Sequence, residues 1–448
     1  MPPWQSHIYL VLPHSRQPLV LMLPEDQSWT LPHLRYDGRI VLANIAPIPQ
    51  LMQQYLGVRT TVLRRAFMDE VQNTLNVVYV LENHSPEWTP PPGCQWVGHD
   101  ALGDLPFAIS EHRAVIATYL DDVTFGAVPE LRAPWARLGW FAAAQSWMES
   151  QLDRLDMIRM APIEQVRTWG ISCILRVRTM SGDVYLKVSS TRPLFAREAV
   201  LVQALATLFP DRVPVLLAID AERGMMLLAD FGHELRGNTD VQSWENALCT
   251  FARLQRKSTA YVEELLTQGC RDRRLDTLAV HMEYLLGDAE ALSALQPEEV
   301  VQLRRLVPRL RAMCDELGAY RVPTTLVHGD LHPGNIAVCN DTFVFFDWTD
   351  ACVAHPFFDL SHMLLETRLL TDPNVAHDRL LEAYLDVWTH CEPKHRLRQA
   401  WTLARPLAAL HQAISFQYMV AGLETAAKPE LAWGIAFWLR QLLHLMSL

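Results

Sequence analysis

Lysine is scarce in this chain. Only Lys187, Lys257, Lys394 and Lys428 occur, so 35 of the 39 basic residues are arginine. Positive charge is normally written as arginine here, and a lysine inside an apolar stretch, as at Lys187 in Val184-Tyr185-Leu186-Lys187-Val188, is a departure that asks for a reason. Paired cysteines are also missing. The eight cysteines, at 94, 173, 249, 270, 314, 339, 352 and 391, form no CxxC pair, which argues against a structural zinc site and fits reduced thiols. Long apolar runs are absent: the stretches at 213–219 and 403–410 are short or broken by proline and charge, so no membrane span is expected. Pro3, Pro13, His14 and Arg16 interrupt the first twenty residues, which do not read as a secretory leader, and a cytoplasmic location is expected. An excess of positive charge is absent too. The net charge of −11 disfavours a broad nucleic-acid-binding surface.

What is present is an ordinary globular composition, half apolar and one fifth charged, over 448 residues, a length that suggests two or three domains. Residues 1–130 carry short apolar runs at 7–12, 19–23, 40–43 and 77–81, read as strands, with a helix at 48–56 and another near 111–119. Between 131 and 158, Trp135, Trp140, Phe141, Trp147, Leu152 and Leu155 recur at helical spacing and predict a linker helix. A second α+β unit follows over 159–237. Alternation at 174–178, the turn Ser181-Gly182-Asp183 and the run 184–188 predict a hairpin, a helix is expected over 196–208, and two strands at 215–219 and 225–228. Residues 238–448 read as mostly helical, interrupted by a strand–loop–strand segment at 325–347.

That segment carries chemistry. Leu326-Val327-His328-Gly329-Asp330-Leu331-His332-Pro333-Gly334-Asn335 runs from an apolar strand into a loop, and a hairpin turning at Asn340-Asp341 delivers Asp347-Trp348. Asp330, Asn335 and Asp347 are oxygen-bearing side chains expected at one place. Phosphoryl transfer asks for such a set: a carboxylate to take the acceptor's proton, and oxygen ligands for a hard cation that keeps water and phosphate in its remaining positions. His328 and Asp359 suit bracing roles.

The segment resembles the motif of the aminoglycoside phosphotransferase and choline kinase-like family, HGDxxxxN followed by an aspartate after a short hairpin, here seventeen residues beyond Asp330. The run His355-Pro356-Phe357-Phe358-Asp359-Leu360 is similar to that family's sequel. The resemblance implies a two-lobed protein-kinase-like fold, ATP and Mg²⁺ as cofactors, and a small-molecule hydroxyl as acceptor. It implies Asp330 as catalytic residue, Asn335 and Asp347 as metal ligands, Lys187 on the phosphates and Glu198, eleven residues later, as its partner. Trp169-Gly170-Ile171-Ser172 stands where a phosphate-covering turn is expected, which assigns Gly170 and Ser172 to phosphate contact although there is no GxGxxG. Backbone groups near Ala229, in Leu227-Leu228-Ala229-Asp230, would read the adenine edge. From Asp359 on there are nine acidic and eight basic residues, a balance that does not announce a polycationic acceptor. Alternatives are a non-catalytic nucleotide-binding regulator and a bifunctional hydrolase–kinase.

The first 130 residues loosely resemble a Nudix hydrolase in the order of their elements. The chemistry does not match: Leu51, Gln54 and Tyr55 stand where that family's metal-binding glutamates would be needed. The expectation is an α+β scaffold of Nudix-like layout without hydrolase activity.

Overall fold

The computed structural model describes residues 3–190, 198–339 and 342–447. The chain groups into two compact units. One comprises Met1–Ser190 with Leu423–Glu430, the other Thr191–Gly422 with Leu431–Leu448. This division cuts within the stretch 159–237 and gives the first unit eight residues of the sequence's last, helical part.

In the first unit a four-stranded mixed sheet runs in the order His33–Asp37, Gln5–Val11, Thr74–Asn83, Thr60–Val71, with Gln5–Val11 parallel to Thr74–Asn83. Its two central strands, Gln5–Val11 and Thr74–Asn83, are buried on both faces, because alternate residues feed two cores. Tyr9, Val11, Val78 and Val80 pack with Val115, Ile116, Tyr119 and Leu120 of helix Glu111–Phe125. Ile8, Leu10, Val77, Tyr79 and Leu81 pack with Ile48 and Met52 of helix Pro47–Leu56. That helix starts on proline and stops at Gly57, whose φ of 69° is the left-handed C-cap conformation.

Two expectations are corrected here. Residues 40–43 form no strand: the chain turns, with the Asn44 amide donating to the Val41 carbonyl, and what remains of sheet pairing is the single bridge of Asn44 to Arg167, with the Ala43 carbonyl accepting the Thr168 amide. The linker helix is Trp140–Arg154, and Trp135 lies outside it in a short 3-10 turn, Pro134–Ala136. The helix buries Ala144, Met148 and Leu152, whereas Leu155 is exposed beyond its end. The unit continues in three antiparallel strands, Glu164–Thr168, Ser172–Thr179 and Gly182–Ser189, in which the expected hairpin holds with Thr179 opposite Gly182.

The second unit opens with helix Glu198–Leu208; residues 196 and 197 of the expected helix lie outside the described residues. A hairpin follows, Leu216–Asp220 with Met225–Ala229. Two small sheets then frame the segment of interest. Thr325–Val327 pairs antiparallel with Cys352–Ala354, which pairs parallel with Arg271–Asp272. Ile336–Cys339 pairs with Thr342–Phe345 and with His233–Glu234, and the turn expected at 340–341 lies outside the described residues. Helices Val241–Ser258, Leu275–Gly287, Pro297–Gly318, Phe358–Leu365, Pro373–Asp386, Lys394–Ala421 and Ala432–Ser447 all bury side chains in the core. Among the described residues no helix is long and apolar enough to cross a membrane.

Candidate active site

The loop 328–335 is held from several sides. Gly329 has φ of 82°, and a Cβ there would lie 2.3 Å from the Asp350 carbonyl oxygen, so glycine alone fits both the turn and the approach. The Gly329 and His328 amides donate to the two carboxylate oxygens of Asp359 at 2.9 and 2.8 Å. Gln255 Nε2 donates to Asp359 at 3.0 Å, and the Tyr384 hydroxyl donates to Gln255 Oε1 at 2.6 Å. Burial pushes the Asp359 carboxyl up to about 7, against the pull of those two amides. His328 is fully buried. Its Nε2 donates to the Phe346 carbonyl at 2.9 Å, and burial pushes its pKa down to about 4, so it is a neutral strut between the loop and the strand that leads to Asp347.

The three oxygen-bearing side chains are tied together through this frame. Asn335 Nδ2 donates to the Asp330 carbonyl at 2.9 Å and to Asp330 Oδ2 at 3.1 Å. Its amide nitrogen is thereby engaged, and its Oδ1 is the atom left to act as a ligand. The Phe346 amide donates to the Asn335 carbonyl at 3.0 Å, so the residue before Asp347 is fixed to the loop. Asp347 itself has φ of 64° and ψ of 60°, a conformation uncommon for a residue with a side chain, and its Oδ1 accepts the Thr349 hydroxyl. An amide oxygen and a carboxylate are suitable donors for a hard cation that takes its other ligands from phosphate and water.

Two residues that sequence reasoning passed over touch the Asp330 carboxylate. His362 Nδ1 lies 3.0 Å from Oδ1, and His332 Nε2 lies 3.5 Å from Oδ2. Burial alone would raise the Asp330 carboxyl, but contact with His332 and His362 outweighs it and holds the group well below its ordinary value. Arg236 Nη2 stands 3.0 Å from His332 Nδ1. His332 could have been picked from the loop motif itself. His362 and Arg236 carry no local signal, because His362 lies 32 residues (362 − 330) from Asp330 and Arg236 lies 96 from His332.

The remaining candidates sit as follows. Lys187 is buried on strand Gly182–Ser189 in the first unit, opposite Ile174. Glu198 is the buried first residue of its helix in the second unit, and Ala229 closes a strand there, its amide donating to the Val215 carbonyl. In the first unit the Gly170 amide donates to Glu430 Oε2 at 2.7 Å, and the Ser172 hydroxyl accepts the Trp169 indole at 2.7 Å. Glu430 also faces Arg65 at 3.3 Å. Behind it Arg132 bridges Asp122 and Glu424 at 2.9 and 2.5 Å, and Arg64 shares Asp122 at 2.9 Å.

The chain matches the family model described as "Phosphotransferase enzyme family" over residues 175–401, just over half its length. No curated protein matches it. Among solved structures it is similar to an ethanolamine kinase of Plasmodium vivax (13% identity, 76% of this chain and 91% of that one, TM-score 0.49). It is also similar to a choline/ethanolamine kinase family protein of Mesorhizobium loti (15%, 65% and 90%, 0.45). A third likeness is to a macrolide 2'-phosphotransferase of Brachybacterium faecium (17%, 65% and 98%, 0.44). With the matched region running through the 328–335 loop and on past Asp347, the chain belongs to the phosphotransferase enzyme family, a family of small-molecule kinases.

Proposed function

We propose that the protein transfers the γ-phosphoryl group of ATP to a hydroxyl of a small molecule, with Mg²⁺ as the bound cation. The observation that carries the reading is the Asp330–Asn335 contact: one side chain's amide holds the other's carboxylate and leaves an oxygen for a metal. Asn335 and Asp347 would hold Mg²⁺, which neutralises phosphate charge when bound. The Asp330 carboxylate would orient the acceptor hydroxyl. Lys187 would pair phosphate oxygens and Glu198 would steady it, roles that rest on their order in the chain and on the burial of both. Ala229 would offer backbone groups to the adenine. A phosphate contact by Gly170 requires that Glu430 release its amide, and one by Ser172 competes with Trp169.

Helix Pro47–Leu56 carries no carboxylate, and Leu51, Met52 and Tyr55 line a largely apolar cavity that His33 and Arg35 also border, which supports a ligand-binding or docking role for the N-terminal Nudix-like region and no diphosphate hydrolysis. The balanced charge of the helical part supports an acceptor other than a polycation.

The test is ATP–Mg²⁺ binding by thermal shift, together with slow ATP hydrolysis by the purified chain. Binding that depends on Mg²⁺ and is lost in Asp347→Ala supports the reading. No binding, or no effect of that substitution, defeats it, and binding without any turnover favours a nucleotide-binding regulator.

A further inference from the structure

Strand His33–Asp37 stands at one edge of the four-stranded sheet, beside Gln5–Val11 and, among the described residues, with no strand beyond it. Its register gives the direction of its backbone groups. Ile8 stands opposite Leu34, Tyr9 opposite His33, and the Leu10 amide donates to the Pro32 carbonyl. Bonded and non-bonded pairs alternate along an antiparallel ladder. Leu34 and Tyr36 therefore spend their amides and carbonyls on the inner strand, whereas those of His33 and Arg35 point outward. Among the described residues nothing bonds to these four outward groups.

The two faces of this edge differ. Opposite residues of a ladder share a face, so Leu34 and Tyr36 lie on the side of Ile8, where helix Pro47–Leu56 packs, and His33 and Arg35 lie on the side of Tyr9. On the helix side a cavity of about 310 Å³ is walled by Leu10, Leu23, Leu34, Leu51 and Leu56 and bordered by His33 and Arg35. Because the side chains of these two residues belong to the other face, their share of the border is main chain. Tyr55 of the cavity wall and Tyr36, next after Leu34 on this strand face, are 67% and 55% exposed. On the other face Arg35 stands opposite His7 and makes no ion pair among the described residues.

We propose that this edge docks an extended segment of a partner protein. The segment pairs its backbone with His33 and Arg35, drops apolar side chains into the cavity and sets an acidic side chain against Arg35. In strand addition the main-chain bonds give affinity and alternate side chains give selectivity. Sheet edges are ordinarily blunted against chance pairing by charge, proline or cover. Here the charge is confined to one face and the other face is apolar and hollow. The edge therefore admits a strand that alternates apolar and acidic residues and disfavours one that alternates apolar and basic. A second copy of the chain fits less well: of its two side chains on the hollow's face, Leu34 already packs in its own core, which leaves only Tyr36 to enter.

The test is selection of short random peptides, displayed on phage, against the full chain. Enriched sequences should alternate apolar and acidic residues. Arg35→Glu and Leu51→Gln should each weaken binding of the synthetic peptides by about 10-fold. Neither position is buried, and urea melts check that both variants fold as the wild type does. In the wild-type chain, bound peptide should slow hydrogen exchange at the His33 and Arg35 amides, and methylating alternate backbone nitrogens of the peptide should abolish binding. Enrichment of no peptide overturns the proposal, and so does equal binding to wild type and both variants. A dimer in sedimentation that Arg35→Glu dissociates also overturns it and gives the edge to a second copy. Octanoate slowing the same amides where no peptide is enriched gives the cavity to a small amphipathic molecule instead.

Discussion

Asp359 holds Gly329 by its backbone: the carboxylate Oδ1 accepts the Gly329 amide at 2.9 Å across 30 residues, while Oδ2 takes the His328 amide. The loop that carries Asp330 therefore depends on a buried side chain from the following helix, Phe358–Leu365. Replacing Asp359 by alanine leaves two buried amides without acceptors, at about 1–3 kcal/mol each. We expect Asp359→Ala to lose about 2 kcal/mol or more in urea unfolding and to lose activity with it, and Asp359→Asn, which keeps one acceptor, to lose less.

The same residue sets a pH dependence. Its folded carboxyl is pushed up to about 7 by burial, above the value of about 4 for an exposed aspartate. Between these values the folded state keeps a proton that the unfolded chain has lost, so this group's contribution to stability declines as pH rises from about 4 to 7. Asparagine does not titrate. The stability of the wild type relative to Asp359→Asn should fall across that window, as read from paired urea melts, and a constant difference would contradict the assignment.

In the first unit Arg132 is nearly enclosed and serves two carboxylates, Asp122 and Glu424. Removing one member of a buried ionic set leaves uncompensated charge, which costs about 3–5 kcal/mol. Arg132→Met should therefore destabilise the unit by about that much. Adding Asp122→Asn and Glu424→Gln to it should restore part of the loss, and a strictly additive triple variant would show that the three do not interact.

The loop was legible in the sequence because its constraints are local. Gly329, Asp330 and Asn335 lie within seven residues, and the turn, the close approach to Asp350 and the amide contact to Asp330 each demand their residue type. The two-sided core of the N-terminal sheet was legible as apolar runs, although residues 40–43 are just as apolar and only turn. Chain crossings were not legible. Nothing near Glu430 in sequence announces that it holds the Gly170 amide 260 residues away, or that residues 423–430 join the first unit. His362 shows the same limit, since its partner is set by how helix Phe358–Leu365 seats against the loop.

Asn335 offers the most direct check on the metal side of the site. Its Nδ2 donates to Asp330 Oδ2 at 3.1 Å, so the residue both positions that carboxylate and presents an oxygen to the cation. Asn335→Asp keeps an oxygen ligand but replaces the donor by a second negative charge against Asp330. Like charges at this distance repel when no cation is bound and are drawn to a common cation when one is. The substitution should lower stability in metal-free buffer, and added Mg²⁺ with ATP should recover part of it. Asn335→Ala, which lacks both functions, should show no such recovery. Thermal melts of the two variants with and without ATP–Mg²⁺ distinguish these outcomes, and an equal response in both would remove Asn335 from the metal site.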